Sequence, residues 1–488
     1  SDLLDYVGLA GNAKSVTVKA RDGYAKSFDL NDKKNGVYWK DKDGNPVILA
    51  WVVDGKNAEG GLQLIIGQEN DEDINRPNWV KDIVSITVNA KSASSSENSD
   101  PTWNGDKEDP DAPVTEVITQ TVDAKTIVIG TAAVSSVNAK ELQEAVSAAE
   151  KQTGEGKEAV VEINAVSGNK NVDEVSVTIP KAGLESAAAA ENTDLAVKTD
   201  LADLVLTSEL AAELKDFGDL KITVKKTGEG TLDVAFTGGN KAVEDLENAI
   251  KISAADTGLA KDNAVVYLVS EDGTKKVLPF SAIVDGKVVF ETRAMGTFSV
   301  EYKERVFADT ENHWSKDNVS FLAVRGVING KSADRFDPDG KVTRAEFVKM
   351  LAGLAEDVDF SQVKPMGFSD VKTGDWYAQF ANWAASEGIV TGYTDGTFRG
   401  NDYITREQMA AMIERFVAAV GDNLKIVNEK KTFTDSSAIS PWAVNSVNKV
   451  CQYGLLNGNA NGTVAPQADT TRAQAATVLV NYIKAVLK

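Results

Sequence analysis

Apolar and polar residues alternate over residues 14–19, an apolar run occupies 47–53, and further short apolar runs fall at 62–66 and 83–88. This period predicts strands, so residues 1–90 are expected to form a β-rich domain. The stretch Asp41-Lys42-Asp43-Gly44-Asn45 reads as a turn between two of them. Residues 91–113 lose all apolar periodicity; they are Ser-rich, then acidic with Pro, and read as a linker. Residues 114–304 recover it in mixed form. Residues 172–179 alternate and stop at Pro180, 182–190 have helical composition, and strands at 195–199 and 220–225 flank a Leu-rich helix near 208–214. Residues 264–269 and 275–278 flank the hairpin signal Glu271-Asp272-Gly273-Thr274, and 287–291 with 297–302 complete an α+β stalk module.

Residues 305–488 are helical and they repeat. Trp314, Trp376 and Trp442 lie 62 and 66 residues apart, and Arg344, Arg406 and Arg472 keep the same two spacings. A period this long means copies of one supersecondary unit, with bounds expected at 305–366, 367–430 and 431–488. Each copy opens on Phe-x-Asp: Phe307 to Asp309, Phe368 to Asp370, Phe433 to Asp435. An amphipathic helix carrying the Trp is expected next. A turn bounded by glycines follows, ending on Gly330, Gly392 or Gly458, and then a loop and a second helix.

The second helices begin Thr343-Arg344-Ala345-Glu346, Thr405-Arg406-Glu407-Gln408 and Thr471-Arg472-Ala473-Gln474. Thr with Glu or Gln three residues on is a capping box, which puts Arg at the first helical position. A cation there opposes the helix dipole, so its recurrence asks for a reason. One reading is an anion site, in which free amides of the helix end and the Arg fork meet a carboxylate or phosphate. The other is a structural pair with a nearby acid such as Asp309. The tryptophans have the same two faces: core residues by spacing, or platforms for a sugar ring.

Charge and composition narrow the classes. With 52 basic and 73 acidic groups among 488 residues the net charge is −21, which argues against nucleic acid and against anionic lipid as partners. No apolar run is long enough to span a membrane. His313 and Cys451 are the single residues of their kinds, so there is no disulfide framework and no imidazole cluster. Residues 1–304 contain neither His nor Cys, which removes Ser–His and Cys–His nucleophile pairs there. No metal or organic cofactor is called for. Acidic stretches at 69–73 and 106–111 offer oxygen ligands for structural calcium without a complete set.

The C-terminal block resembles three tandem S-layer homology (SLH) domains. The resemblance rests on the Phe-x-Asp openings, His313-Trp314, the glycine-bounded turns, Asp395-Gly396-Thr397-Phe398 and the Thr-Arg-x-Glu/Gln signatures. It implies an all-α, pseudo-threefold spindle whose grooves bind a secondary cell-wall polysaccharide, commonly one bearing pyruvylated N-acetylmannosamine. It further implies that Arg344, Arg406 and Arg472 meet the pyruvate carboxylate. Trp314, Trp376, Trp442, Asp309, Asp370, Asp435, Gly330, Gly392 and Gly458 would line the sugar pocket. Residues 1–90 are similar to a shortened sulfite-oxidase-like fold, through Asp22-Gly23-Tyr24, Ile48-Leu49-Ala50-Trp51 and Trp79-Val80-Lys81, without the Cys that holds the molybdopterin cofactor. The native chain is expected to extend further at its N-terminus. The expectation is a multidomain, non-enzymatic surface protein held at the bacterial cell wall and able to self-assemble into a lattice. The rivals are a surface glycosidase with a carboxylate pair and an adhesin.

Overall fold

The computed structural model describes residues 13–20, 25–29, 47–50, 52–53, 56–57, 63–66, 83–90, 114–154, 157–190, 192–239, 241–254, 263–356 and 358–488. The chain divides into two compact units, Ser1–Glu97 and Asn98–Lys488. In the first, Ala13–Ala20 pairs antiparallel with both Ala25–Asp29 and Ile83–Ala90. Val47–Ala50 pairs with Gln63–Ile66, and Val52–Val53 with Lys56–Asn57. The turn expected at 41–45, the linker at 91–113 and both acidic stretches proposed for calcium lie outside the described residues.

The second unit begins with two sheets. One runs, in spatial order, Ser281–Val284, Lys287–Ala294, Asp245–Ala254, Ala202–Leu206, Thr193–Lys198, Lys157–Asn164 and Glu116–Asp123. The other runs Lys275–Val277, Ala264–Val269, Gly296–Tyr302, Thr231–Gly238, Leu220–Gly228, Glu174–Ile179, Ala132–Ser136 and Lys125–Ile129, with Lys241–Val243 beside Thr231–Gly238. Most neighbours are antiparallel. Parallel pairs occur where a helix intervenes in sequence, as between Ala132–Ser136 and Glu174–Ile179. Helices α1 (Ala139–Glu150), α2 (Lys181–Ala189) and α3 (Ser208–Leu214) pack on one another, and α1 and α3 pack on the first sheet. Asn138 starts α1 by accepting the amides of Lys140 and Glu141. Gly183 lets α2 approach α1, since a Cβ there would fall 2.3 Å from Leu142 Cδ2. Leu142, Val161, Leu195, Ile222, Phe236 and Phe290 share one apolar core.

The helical region follows the repeat. First helices α4 (Lys316–Val324), α6 (Ala378–Ser386) and α8 (Val444–Gln452) alternate with second helices α5 (Arg344–Ala352), α7 (Arg406–Val420) and α9 (Arg472–Val486). Each first helix ends on a glycine in the left-handed region: Gly326, Gly388 and Gly454 have φ of 74°, 72° and 74°. At the centre the backbone closes a ring. Val342 N–H donates to Thr470 O, Thr470 N–H to Ile404 O, and Ile404 N–H to Val342 O, at 3.0, 2.9 and 2.9 Å. Each unit meets the next and the third meets the first, so the arrangement is a pseudo-threefold spindle.

Spindle and sheets are fused rather than hinged. Phe280, Ala282 and Val289 of the sheets belong to the same apolar cluster as Phe321, Leu479 and Tyr482 of the helices. Arg325, at the end of α4, is buried and donates to Ser281 O and Ala264 O. Thr115 N–H donates to Ile426 O at 2.8 Å, and Arg293 pairs with Glu356 at 3.2 Å. A cut at residue 305 would therefore open a core, not a linker.

Candidate functional site

Each groove of the spindle lies where the start of one second helix meets the loop of the next unit. Three capping boxes form as the sequence predicts: Thr343, Thr405 and Thr471 each accept the amide three residues on. Glu346, Gln408 and Gln474 reach back to the capping residue's own amide. The arginines do occupy the first helical position, and all three are buried.

The amides beside them are not available to a ligand, which corrects the expectation of free helix-end donors. Arg344, Arg406 and Arg472 N–H donate to Asp402 O, Ala468 O and Gly340 O, and the following amides to Gly400 O, Pro466 O and Pro338 O. The loops of neighbouring units have filled the helix ends, because a buried amide must find an acceptor. What remains for an anion is the side chain. Arg344, Arg406 and Arg472 Nε donate across the unit boundary to Phe398 O, Val464 O and Phe336 O, at 2.9, 2.7 and 2.8 Å. The arginine thus offsets its unfavourable place on the helix dipole by bonding a neighbour's carbonyl.

Beyond that shared bond the three differ. Arg472 also donates to Asn329 O, and its Nη1 lies 3.5 Å from Glu346 Oε1. Burial works against the charge of Glu346, yet Lys331, the Thr343 amide and Arg472 hold its carboxyl below the usual range. Arg406 donates to Asn457 O at 3.2 Å. Beside it Glu407 is buried and accepts from Ser440 N–H, Ser440 Oγ and Gln467 Nε2. Arg344 stands apart: Nη1 and Nη2 are buried with no hydrogen-bond partner. Its guanidinium lies 4.9 Å from the Tyr393 ring centroid and 5.3 Å from that of Phe398.

The expected sugar-lining residues fall into two groups. Trp314 and Trp376 are 64% and 54% exposed, so they are not core. They precede α4 and α6 rather than riding on them, correcting the expected helix; the first turn starts only after these residues. Trp442 likewise precedes α8, and it packs partly against the core. Lys349 Nζ sits 5.6 Å from the Trp376 ring centroid. His313 Nδ1 contacts Ser315 Oγ at 2.8 Å, and the His313 ring lies 5.3 Å from that of Trp314.

The opening acids do other work. Asp309 accepts Phe336 and Asp337 N–H, Asp370 accepts Phe398 and Arg399 N–H, and Asp435 accepts Val464 and Ala465 N–H, all at 2.7–2.9 Å. The second residue of each pair is left-handed, with φ of 65°, 56° and 50° for Asp337, Arg399 and Ala465. Gly330, Gly392 and Gly458 make room for the opening Phe rings, since a Cβ at each would lie 2.5 Å from Phe307, Phe368 or Phe433 Cε1. These six residues shape the grooves by holding their loops. The sequence reading placed Glu346 in its capping box but missed its approach to Arg472, and it missed Lys349 and Tyr393 altogether. The signal for Glu346 was the change from Glu to Gln between the first and third signatures, which are otherwise equal.

The S-layer homology domain model matches residues 306–348, 367–410 and 432–476, each running from the opening Phe region into a second helix. The helical region is three S-layer homology domains. They place the chain at the cell surface, anchored to the cell wall. Among similar proteins are an amylopullulanase of Thermoanaerobacterium thermosulfurigenes, 29% identical over 348 residues, and an endoglucanase of a Bacillus species, 38% identical over 175 residues. An S-layer protein of Bacillus licheniformis is 25% identical over 297 residues. These matches cover 68%, 36% and 54% of this chain but only 17%, 18% and 33% of the relatives. The first is longer than the SLH region, so it reaches into the β-rich part. No match supports the sulfite-oxidase-like resemblance of residues 1–90.

Proposed function

We propose that this chain is a non-enzymatic anchor and carrier, and that its SLH grooves bind an anionic, pyruvylated secondary cell-wall polysaccharide without a covalent bond. The observation that carries the reading is the buried cation retained at the start of each second helix, together with the exposed Trp314 and Trp376 of the first two units, which offer a flat apolar face and a polar edge to a sugar. The mechanism is recognition by charge and shape. Arg supplies a planar fork for the carboxylate of a pyruvate ketal, in a setting where water competes poorly. The indole faces take the pyranose ring. The Asp clamps and packed glycines fix the loops before the ligand arrives, so little ordering entropy is lost on binding.

The β-rich module accompanies the anchor whatever the rest of the protein does. The S-layer protein and the amylopullulanase both match more of this chain than the SLH region holds. Placement in a self-assembled surface lattice is part of this proposal. The second reading is a glycosidase whose catalytic part lies outside this chain; the short share of each glycosidase relative that is matched favours it.

The test is co-sedimentation of the whole chain with purified wall sacculi, before and after chemical removal of the secondary polymer. Binding lost with the polymer supports the proposal. Equal sedimentation with stripped sacculi would assign the anchoring to peptidoglycan instead.

A further inference from the structure

We infer that the three grooves are unequal: the groove of Arg344 takes the anionic group of the wall polymer, while Glu346 fills the corresponding place beside Arg472 as an internal counter-anion. The inference rests on the reading of these domains as polysaccharide anchors and adds which groove is competent and which residue decides it.

The grooves are built alike, so their differences are informative. Every first-turn amide is spent and every arginine Nε is bonded to a neighbouring carbonyl. Only the terminal guanidinium nitrogens vary. In the groove of Arg472, Glu346 approaches to 3.5 Å and also pairs with Lys331. A ligand carboxylate would have to displace a carboxylate already held by two cations. In the groove of Arg406, one terminal nitrogen, Nη2, is bonded to Asn457 O, Glu407 is fixed by three donors, and Trp442 is packed inward.

The groove of Arg344 carries the opposite features. Position for position, Gln408 stands where Glu346 stands for Arg472, and it donates to Tyr393 Oη at 3.3 Å rather than neutralising the arginine. Two nitrogens of a charged, fully buried guanidinium are left without an acceptor. Such a group is costly unless something anionic or polar joins it. Trp376 of the second unit is exposed, with Lys349, from the same helix as Arg344, 5.6 Å from its ring centroid. A cavity of about 370 Å³ opens along the same loop, lined by Asp370, Tyr377, Arg399, Gly400, Asn401 and Asp402. Asp370 there is already occupied by two backbone amides. The ring of Tyr393, itself partly exposed, lies over the guanidinium and is the side chain that must shift to admit a carboxylate.

The discriminating variant is Glu346→Gln in the whole chain. Gln keeps the capping box, as units two and three already show, so folding is preserved. Calorimetry with a synthetic pyruvylated N-acetylmannosamine glycoside is the readout, with sacculi sedimentation in parallel. Glu346→Gln is expected to raise the stoichiometry by freeing Arg472. Arg344→Gln is expected to weaken the original site by about tenfold to a hundredfold, the worth of a charge-assisted bond. The double variant should keep the new site and lose the old one. Unchanged stoichiometry and affinity in Glu346→Gln would overturn the inference, as would full binding by a folded Arg344→Gln. In either case, wild-type sedimentation that depends on the polymer would leave the anchoring proposal standing. Loss of that dependence would fell both.

Discussion

Arg399 is a long side chain in a backbone conformation that favours glycine, at φ 56°, and Asp370 holds it there through two amides. Left-handed non-glycine residues persist only where their surroundings over-determine them. The same acid clamp recurs in all three units, which explains an invariant Asp without giving it a ligand. Asp370→Ala should therefore cost about 2 kcal/mol of stability, from two orphaned amides and a released turn. Urea unfolding would check this, and a loss below a few tenths of a kcal/mol would deny the clamp its role. Arg399→Gly should act the other way, by up to about 1 kcal/mol, because glycine takes the conformation without strain.

At the scale of elements, the three capping boxes are the features most directly legible in the sequence. Thr405→Ala should destabilise α7 by about 1 kcal/mol, measurable as a lowered urea midpoint with an unchanged slope. The strands at 174–179 and 264–269 and the helix at 208–214 were readable because alternation or a Leu-rich run ended at a Pro, Gly or Thr. The strand Ala132–Ser136 was not: Ala and Ser give no strong apolar alternation, and its place is decided by pairing with a distant strand. Helix α1 did carry a stripe, Leu142, Val146 and Ala149 after the cap Asn138, and the reading passed over it. The repeat showed where the arginines would sit. It could not show that neighbouring loops would saturate the helix ends, because that depends on contacts such as Arg344 to Asp402, made across units. Nor could it show that a Glu in one unit faces an Arg two units away in sequence.

For the whole molecule, the seam between sheets and spindle concentrates charge. Burial pushes the Glu291 carboxyl from 4.5 up to about 7; Asp422 and Glu356 push the same way, and Lys251 and Arg293 oppose them. Asp194 is raised from 3.8 to about 6 by burial and by Glu158, against Lys425 and Lys251. These groups hold protons more tightly folded than unfolded, so their stabilisation is complete below about pH 4 and is lost as pH rises through 6 and 7. Thermal unfolding should accordingly show a higher Tm at pH 5 than at pH 8, and Glu291→Gln should flatten that slope. An unaltered slope would place the titration elsewhere. Arg325, whose pKa burial draws down to about 9, ties the same seam. Arg325→Ala should cost about 3 kcal/mol or more by stranding the Ser281 and Ala264 carbonyls and opening a cavity. Differential scanning calorimetry would show the single transition splitting as the seam loosens.

The ring of hydrogen bonds has a consequence for how the chain is made. Arg472 grips Phe336 O, 136 positions earlier, so the first unit lacks its neighbour until the last helix exists. A polypeptide emerging N-terminus first cannot complete any subset of the spindle ahead of time; the whole must wait in an open state. Contacts this distant slow folding and favour an all-or-none finish. A chain ending before Arg472 should lose its binding although Arg344 itself remains, because the circle it leaves has two loose ends and no closure.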